Sequence, residues 1–212
     1  MAYDLEEQEQ IAAFKDWWRR YGNILTTVLL AVVVGIAGMQ AWRYYRSQQA
    51  TAAGTLYGQL DVAEQSNEAK KVQDIAASIA AGHAATAYAA MAQLRAAKSL
   101  AMGNDLAGAK LRLQWVIDNA KEDEMRDVAR LRLAGVLLDE KKPDDALKLL
   151  EIKRTNTAFD GMYADMKGDI LASQGKRAEA RAAYQMALDK SEPRSNYRQV
   201  IQVKLDAVGE AP

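Results

Sequence analysis

The chain contains no cysteine, which removes disulfide bridges, thiolate nucleophiles and cysteine-ligated metals together. It has one histidine, His83, so no centre built on two imidazoles can exist. His83 sits in Ala81-Gly82-His83-Ala84, a helix–helix turn with no neighbour that would orient an imidazole for catalysis. An excess of either charge is missing too. With 28 basic and 28 acidic residues, no global field draws the chain onto nucleic acid or an acidic substrate. Proline occurs only at Pro143, Pro193 and Pro212, and strand-forming Val, Ile and Thr cluster only in one apolar stretch. Alanine and unbranched side chains dominate the rest, so the fold class is all-α.

Recognisable chemistry is absent as well. Gly175-Lys176 lacks the upstream glycine and the following Ser or Thr of a phosphate loop, and no Gly-x-Ser-x-Gly, His-Glu-x-x-His or calcium-loop spacing occurs. Asp144 and Asp145 follow Pro143 at a helix start, where carboxylates cap free amides and favour the helix dipole. The expectation is a protein without catalytic residues, metal, cofactor, small-molecule substrate or nucleic-acid partner.

What the chain does have is an uncharged run from Ile24 to Trp42. At about 1.5 Å per residue such a helix spans roughly 29 Å, the thickness of a bilayer's hydrocarbon core. Trp17, Trp18 and Tyr21 precede it and Trp42, Tyr44 and Tyr45 close it, with Arg19, Arg20, Arg43 and Arg46 at headgroup depth. The acidic start and the length of the run argue against a cleaved signal peptide. We read residues 1–22 as a short tail, 23–42 as a transmembrane helix and 43–212 as one large domain. In the tail, Ile11, Phe14, Trp18 and Tyr21 share a helical face beside Lys15, Arg19 and Arg20. Either a helix lying on the membrane surface or the first turns of the span itself fits that pattern. Inside the span, Ala31, Gly35 and Gly38 make a small-residue stripe, read either as a contact for another transmembrane helix or as the ordinary small-residue content of such helices.

Beyond Arg46 the sequence repeats. Starting from Ala97, Ala134 and Gly168, leucine follows at Leu100, Leu137 and Leu171, alanine at Ala109, Ala146 and Ala180, and a large residue at Leu113, Leu150 and Tyr184. The three starting points lie 37 and 34 residues apart, the interval of tetratricopeptide repeats. Small residues allow two antiparallel helices to cross closely, while the large ones are expected to pack into the next unit. The copy at Gly168, Leu171, Gly175, Ala180, Tyr184, Ala187 and Pro193 most resembles a tetratricopeptide unit. Repeats are expected at about 90–122, 127–157 and 161–193, with a capping helix at about 194–208. Two helices upstream, about 48–65 and 67–81, have the length of such a unit but not its pattern.

In tetratricopeptide domains the inner groove is lined by each unit's first helix. Carrying that register over places Met91, Leu94, Lys98 and Met102, then Val128, Leu131 and Leu138, then Met162, Asp165 and Asp169 on the groove. This stripe is mostly apolar and partly methionine, suited to hydrophobic segments of varied sequence. The same stripe also fits core buried by the next unit or by the last helix.

Ile11-Ala-Ala-Phe14-Lys15-Asp-Trp17-Trp18, Tyr21-Gly22-Asn23, the apolar span and Trp42-Arg43-Tyr44-Tyr45-Arg46-Ser47-Gln48-Gln49 together resemble the amino-terminal signature of the YfgM-type family, the ancillary subunits of the bacterial SecYEG translocon. The resemblance implies a non-enzymatic, single-pass protein of the bacterial inner membrane, amino terminus cytoplasmic and tetratricopeptide-like domain periplasmic. It further implies association with the SecYEG translocon and with a membrane-anchored periplasmic chaperone of the prolyl-isomerase type. The charges alone, Lys15, Arg19 and Arg20 before the span against Arg43 and Arg46 after it, barely favour that orientation. An anchored scaffold for another envelope process, such as cell division, and an envelope enzyme with an unrecognised site are the competing readings.

Overall fold

The structure is a computed structural model that describes residues 2–152 and 157–209, with side chains throughout except at 2–6 and 8. The described residues are helical with no strand: α1 (Ala2–Gln65), α2 (Ala69–His83), α3 (Ala87–Met102), α4 (Leu106–Asn119), α5 (Asp123–Asp139), α6 (Pro143–Leu150), α7 (Asp160–Ser173), α8 (Arg177–Lys190) and α9 (Tyr197–Ala207). They form two compact units, Met1–Gln49 and Ala50–Pro212.

The first unit consists of the amino-terminal part of α1. The tail and the apolar run belong to this one helix, with no break at Gly22 or Asn23. Thr26 and Thr27 donate their hydroxyls back to the carbonyls of Gly22 and Asn23, which satisfies polar groups that lipid could not. The helix is long and apolar enough to cross a membrane, and its apolar side chains are exposed.

The second unit is a stack of helical hairpins: the end of α1 with α2, α3 with α4, α5 with α6, and α7 with α8, followed by α9. Each hairpin turns through one residue in the left-handed region: Asn67 (φ 56°), Asn104 (φ 61°), Lys141 (φ 62°) and Gly175 (φ 74°). At each turn an amide reaches five residues back to cap the first helix: Glu68 to Ala63, Asp105 to Leu100, Lys142 to Leu137 and Lys176 to Leu171. The repeat thus extends to the first hairpin, where no residue pattern marks it. The Leu100, Leu137 and Leu171 positions supply the carbonyl that ends each first helix. Asp105 additionally caps α4, accepting the Gly108 amide at 2.9 Å.

The small-residue positions lie where the helices of a hairpin approach most closely. Ala97, Ala109, Ala134, Ala146, Gly168 and Ala180 are all buried. At the third hairpin the reason is explicit, because a Cβ on Gly168 would stand 2.4 Å from the Tyr184 ring. Tyr184 packs in both directions. Although it shares a cluster with Ile201 and Leu205, its ring covers Gly168 of its own hairpin, and its hydroxyl donates to Asp169 at 2.8 Å. The hairpins occupy 87–119, 123–150 and 160–190; residues 153–156, inside the expected 127–157 repeat, lie outside the described residues, as does Pro212.

Candidate protein-binding surface

The first helices of successive hairpins, the end of α1, then α3, α5 and α7, with α9 after them, stand side by side and are joined by polar links. Arg95 of α3 pairs with Asp61 and, at 2.9 Å, with Glu64 of α1, and its guanidinium lies 5.1 Å from the Tyr57 ring centroid. Arg132 of α5 donates to the Leu94 carbonyl of α3 at 3.2 Å. Tyr163 of α7 donates to Asp127 of α5 at 2.8 Å, and Tyr197 of α9 donates to Asp165 of α7 at 2.5 Å. Apolar packing sets how close the helices come, whereas these links fix which residue faces which.

The links perturb ionisation in one direction. Burial, then a hydrogen bond to a carboxylate, pushes the Tyr163, Tyr184 and Tyr197 phenols well above their ordinary range. At Lys204 of α9 burial works against the charge, but hydrogen bonds to Asp165 (2.8 Å) and Asp169 (2.7 Å) outweigh it and hold the ammonium above its usual value. For Arg95, burial is likewise overcome by Asp61, Tyr57 and Glu64.

The ten residues assigned to the groove take different places along this row. Met102 is 79% and Met162 44% exposed; Lys98 is also exposed, its Nζ 3.5 Å from Glu64. Met91, Val128, Leu131 and Leu138 are half-buried, Val128 against the α3–α5 core and Leu138 against the α5–α7 core. Leu94 and Asp165 are buried, at 6% and 3%, so they support the surface from beneath. Asp169, half-buried, is tied to Tyr184 and Lys204. Around Asp165 and Asp169 the last helix is docked by its own lysine and tyrosine, with Ile201 and Leu205 buried beneath it. The more open portion of the row therefore runs from Lys98 and Met102 through Leu131 to Met162. In the membrane-crossing segment, Ala31, Gly35 and Gly38 are exposed, and a Cβ on either glycine would touch nothing.

Sequence reasoning missed the buried carboxylates Asp127 and Asp165 and their phenol donors. The available signal was Tyr163 and Tyr197 lying one repeat length apart, but it has no fixed counterpart in the earlier hairpins. Among the described residues no group of His, Cys, Asp or Glu is arranged to hold a metal ion.

Comparison with known proteins gives this geometry a family context. The tetratricopeptide repeat-like domain family matches residues 15–210. The chain is 30% identical to the ancillary SecYEG translocon subunit of Haemophilus influenzae over 190 residues, covering 88% of this chain and 91% of the relative. It is 30% identical to the protein of the same name from Neisseria gonorrhoeae over 209 residues, 98% of this chain and 100% of the relative. The Escherichia coli counterpart is 29% identical over 203 residues, 94% and 95% of the two chains.

Proposed function

Because the chain belongs to the tetratricopeptide repeat-like family and, within it, to the ancillary SecYEG translocon subunits, we propose that it works as a membrane-tethered accessory of the Sec translocon that binds other proteins. One apolar helix near the amino terminus fits a single-pass protein of the inner membrane. In our reading residues 1–22 are a cytoplasmic tail, 23–42 span the membrane, and 43–212 form a periplasmic domain that helps newly translocated proteins. That domain also links SecYEG to a membrane-anchored periplasmic chaperone of the prolyl-isomerase type. The protein acts by binding rather than by catalysis.

The observation that carries this reading is the full-length match: the alignment takes in 98% of this chain, span and repeat domain together, and 100% of a relative named for the translocon. The exposed methionines Met102 and Met162 and the half-buried Leu131 support a hydrophobic contact surface, because thioethers repack around varied partners.

Three experiments test it. Protease added outside spheroplasts is expected to remove the carboxy-terminal domain and spare a short amino-terminal fragment; a chain cut only after lysis overturns the orientation. Affinity purification from detergent-solubilised membranes is expected to recover the translocon and the chaperone, and recovery of neither overturns the assignment. Met162→Glu and Leu131→Glu are expected to lose partners while keeping helicity and melting temperature. Partner recovery unchanged in both would remove the groove from the mechanism.

A further inference from the structure

Along the row of first helices most cations have a carboxylate of their own. Arg95 is met by Asp61 and Glu64, Lys204 by Asp165 and Asp169, and Arg130 approaches Asp127 at 3.4 Å. Arg132 of α5 differs. It is exposed, its guanidinium donates to the Leu94 carbonyl at 3.2 Å, and no carboxylate among the described residues stands within ion-pair distance of it. The exposed carboxylates of its own helix, Glu124 and Asp139, lie roughly 10–12 Å away along the axis, where salt screens them. Lys98 follows Leu94 by one turn of α3, so a second cation stands on the neighbouring helix beside the first. Its Nζ reaches Glu64 at 3.5 Å, but Glu64 is already held by Arg95 at 2.9 Å. Two neighbouring cations that share so little counter-charge repel each other, and an anion between them relieves the repulsion.

Gly135 marks the same place independently. Leu131, Gly135 and Leu138 fall at i, i+4 and i+7 of α5, and Arg132 precedes Gly135 by one turn. Glycine in a helix interior is a weaker helix former than alanine. At Gly168 a tyrosine ring occupies the room a side chain would need, whereas at Gly135 a Cβ would meet only the Met166 methyl, at an ordinary 3.8 Å. The missing side chain leaves a notch in the apolar stripe, between Leu131 and Leu138, with Met166 on the α7 side and Arg132 on the α3 side. Apolar walls beside an unneutralised guanidinium fit an apolar segment that carries a carboxylate. Its aliphatic side chains would lie on Leu131, Leu138 and Met162, and its carboxylate would meet the planar fork of Arg132, which pairs such a group through two parallel hydrogen bonds. A segment with a cation there would meet like charge, and a neutral one would leave the repulsion as it is.

We propose that the notch at Gly135 receives the side-chain carboxylate of an aspartate or glutamate within an apolar protein segment, held by Arg132 with Lys98 beside it. The inference rests on the reading of this row as the partner-binding surface, and it adds a charge requirement to a hydrophobic contact. Arg132 then selects among apolar segments that the methionines and leucines alone would accept alike.

The test uses the full chain in phosphatidylcholine nanodiscs, with protein-free nanodiscs as the blank, and two short fluorescent peptides of alternating leucine and serine. Both are blocked at their ends and differ only in one central residue, glutamate or glutamine. Fluorescence anisotropy is expected to show the glutamate peptide binding severalfold more tightly, and added salt to narrow the gap. Arg132→Gln is expected to equalise the two peptides at unchanged melting temperature, since the side chain is exposed, while Arg177→Gln, at the exposed start of α8, leaves the preference intact. Gly135→Leu fills the notch and is expected to weaken both peptides. Equal binding of the two peptides by the starting chain, a preference that survives Arg132→Gln, or undiminished binding in Gly135→Leu overturns the carboxylate site and leaves the hydrophobic surface standing. Binding of neither peptide overturns the surface itself, and the site with it.

Discussion

The Tyr184 ring lies where a side chain on Gly168 would have to go: a Cβ there would stand 2.4 Å from Cε1 and 2.5 Å from Cδ1. The ring has little freedom to retreat, because it is buried and its hydroxyl is held by Asp169 at 2.8 Å. Gly168→Ala is therefore expected to destabilise the domain by about 1–3 kcal/mol, the usual cost of forcing atoms into a packed core. Thermal unfolding monitored by circular dichroism checks it. A melting temperature equal to that of the wild type would mean that the ring swings aside freely.

The left-handed turn residues give a prediction of opposite sign. Lys141 holds φ at 62°, where a Cβ costs about 1–2 kcal/mol, while Gly175 fills the equivalent place at no such cost. Part of any gain is cancelled by the extra freedom that glycine has when unfolded, about 0.5–1 kcal/mol. Lys141→Gly is thus expected to raise stability by a few tenths to about 1 kcal/mol, and Gly175→Ala to lower it. Paired urea titrations would show both signs, and a destabilised Lys141→Gly would contradict the account of the turn.

The Tyr163–Asp127 link should behave as a coupled pair. Removing the phenol hydroxyl in Tyr163→Phe deprives a carboxylate 2% exposed of its closest donor, leaving Arg130 at 3.4 Å. An unsatisfied buried acceptor costs about 1–3 kcal/mol. Asp127→Ala on top of Tyr163→Phe should cost less than the sum of the two single changes. Simple additivity in a double-mutant cycle would show that the 2.8 Å contact contributes nothing.

Alkaline pH should loosen the last helix. Lys204 is held above its ordinary value of 10.5, and Tyr184 and Tyr197 above theirs of 10.0. In each case the unfolded chain loses its proton first. The stability these groups contribute is complete below pH 10 and falls as pH rises beyond it. Melting temperatures taken from pH 9 upward should decline, and less steeply in a Lys204→Met, Tyr197→Phe chain. An identical decline in that variant would place the sensitivity elsewhere.

In the membrane segment Gly35→Leu meets nothing within the chain, so insertion and the repeat domain should be untouched. Co-purification with a membrane partner should weaken if the small-residue stripe packs against another helix, since bulk prevents close backbone approach. Undiminished recovery would return Ala31, Gly35 and Gly38 to ordinary lipid-facing residues.

How much of this was legible follows from which forces leave a residue signature. Close helix crossings admit only small side chains, so Ala97, Ala134 and Gly168 announced the hairpins and their intervals. The first hairpin was legible by the length of its two helices but not by a residue pattern, because its turn is defined by the backbone at Asn67, in a conformation that Asn104 and Lys141 also hold. Asp127 and Asp165 were illegible as interior residues, since a carboxylate on a helix is ordinarily solvated and only its partner one hairpin away makes burial tolerable. Placing Leu94 on the open surface was limited by the same periodicity, which marks an apolar face without saying whether the next helix covers it. The pattern left open whether the tail is a separate surface helix or the first turns of the span, and α1 passes through both without interruption.

The polar links between first helices also bear on how such a chain can change its length. The four steps use three chemistries: guanidinium to carboxylates at Arg95, guanidinium to a carbonyl at Arg132, and phenol to carboxylate at Tyr163 and Tyr197. In the common register Ala129 holds in α5 the place that Tyr163 holds in α7. A gene duplication that inserted a second α5–α6 hairpin behind the first would therefore set an alanine opposite Asp127 and take away its phenol donor, a cost of about 1–3 kcal/mol. Arrays built from interchangeable repeats grow and shrink by such events; in this stack each hairpin is keyed to its neighbour, so lineages that alter the number of units must first rewrite the links.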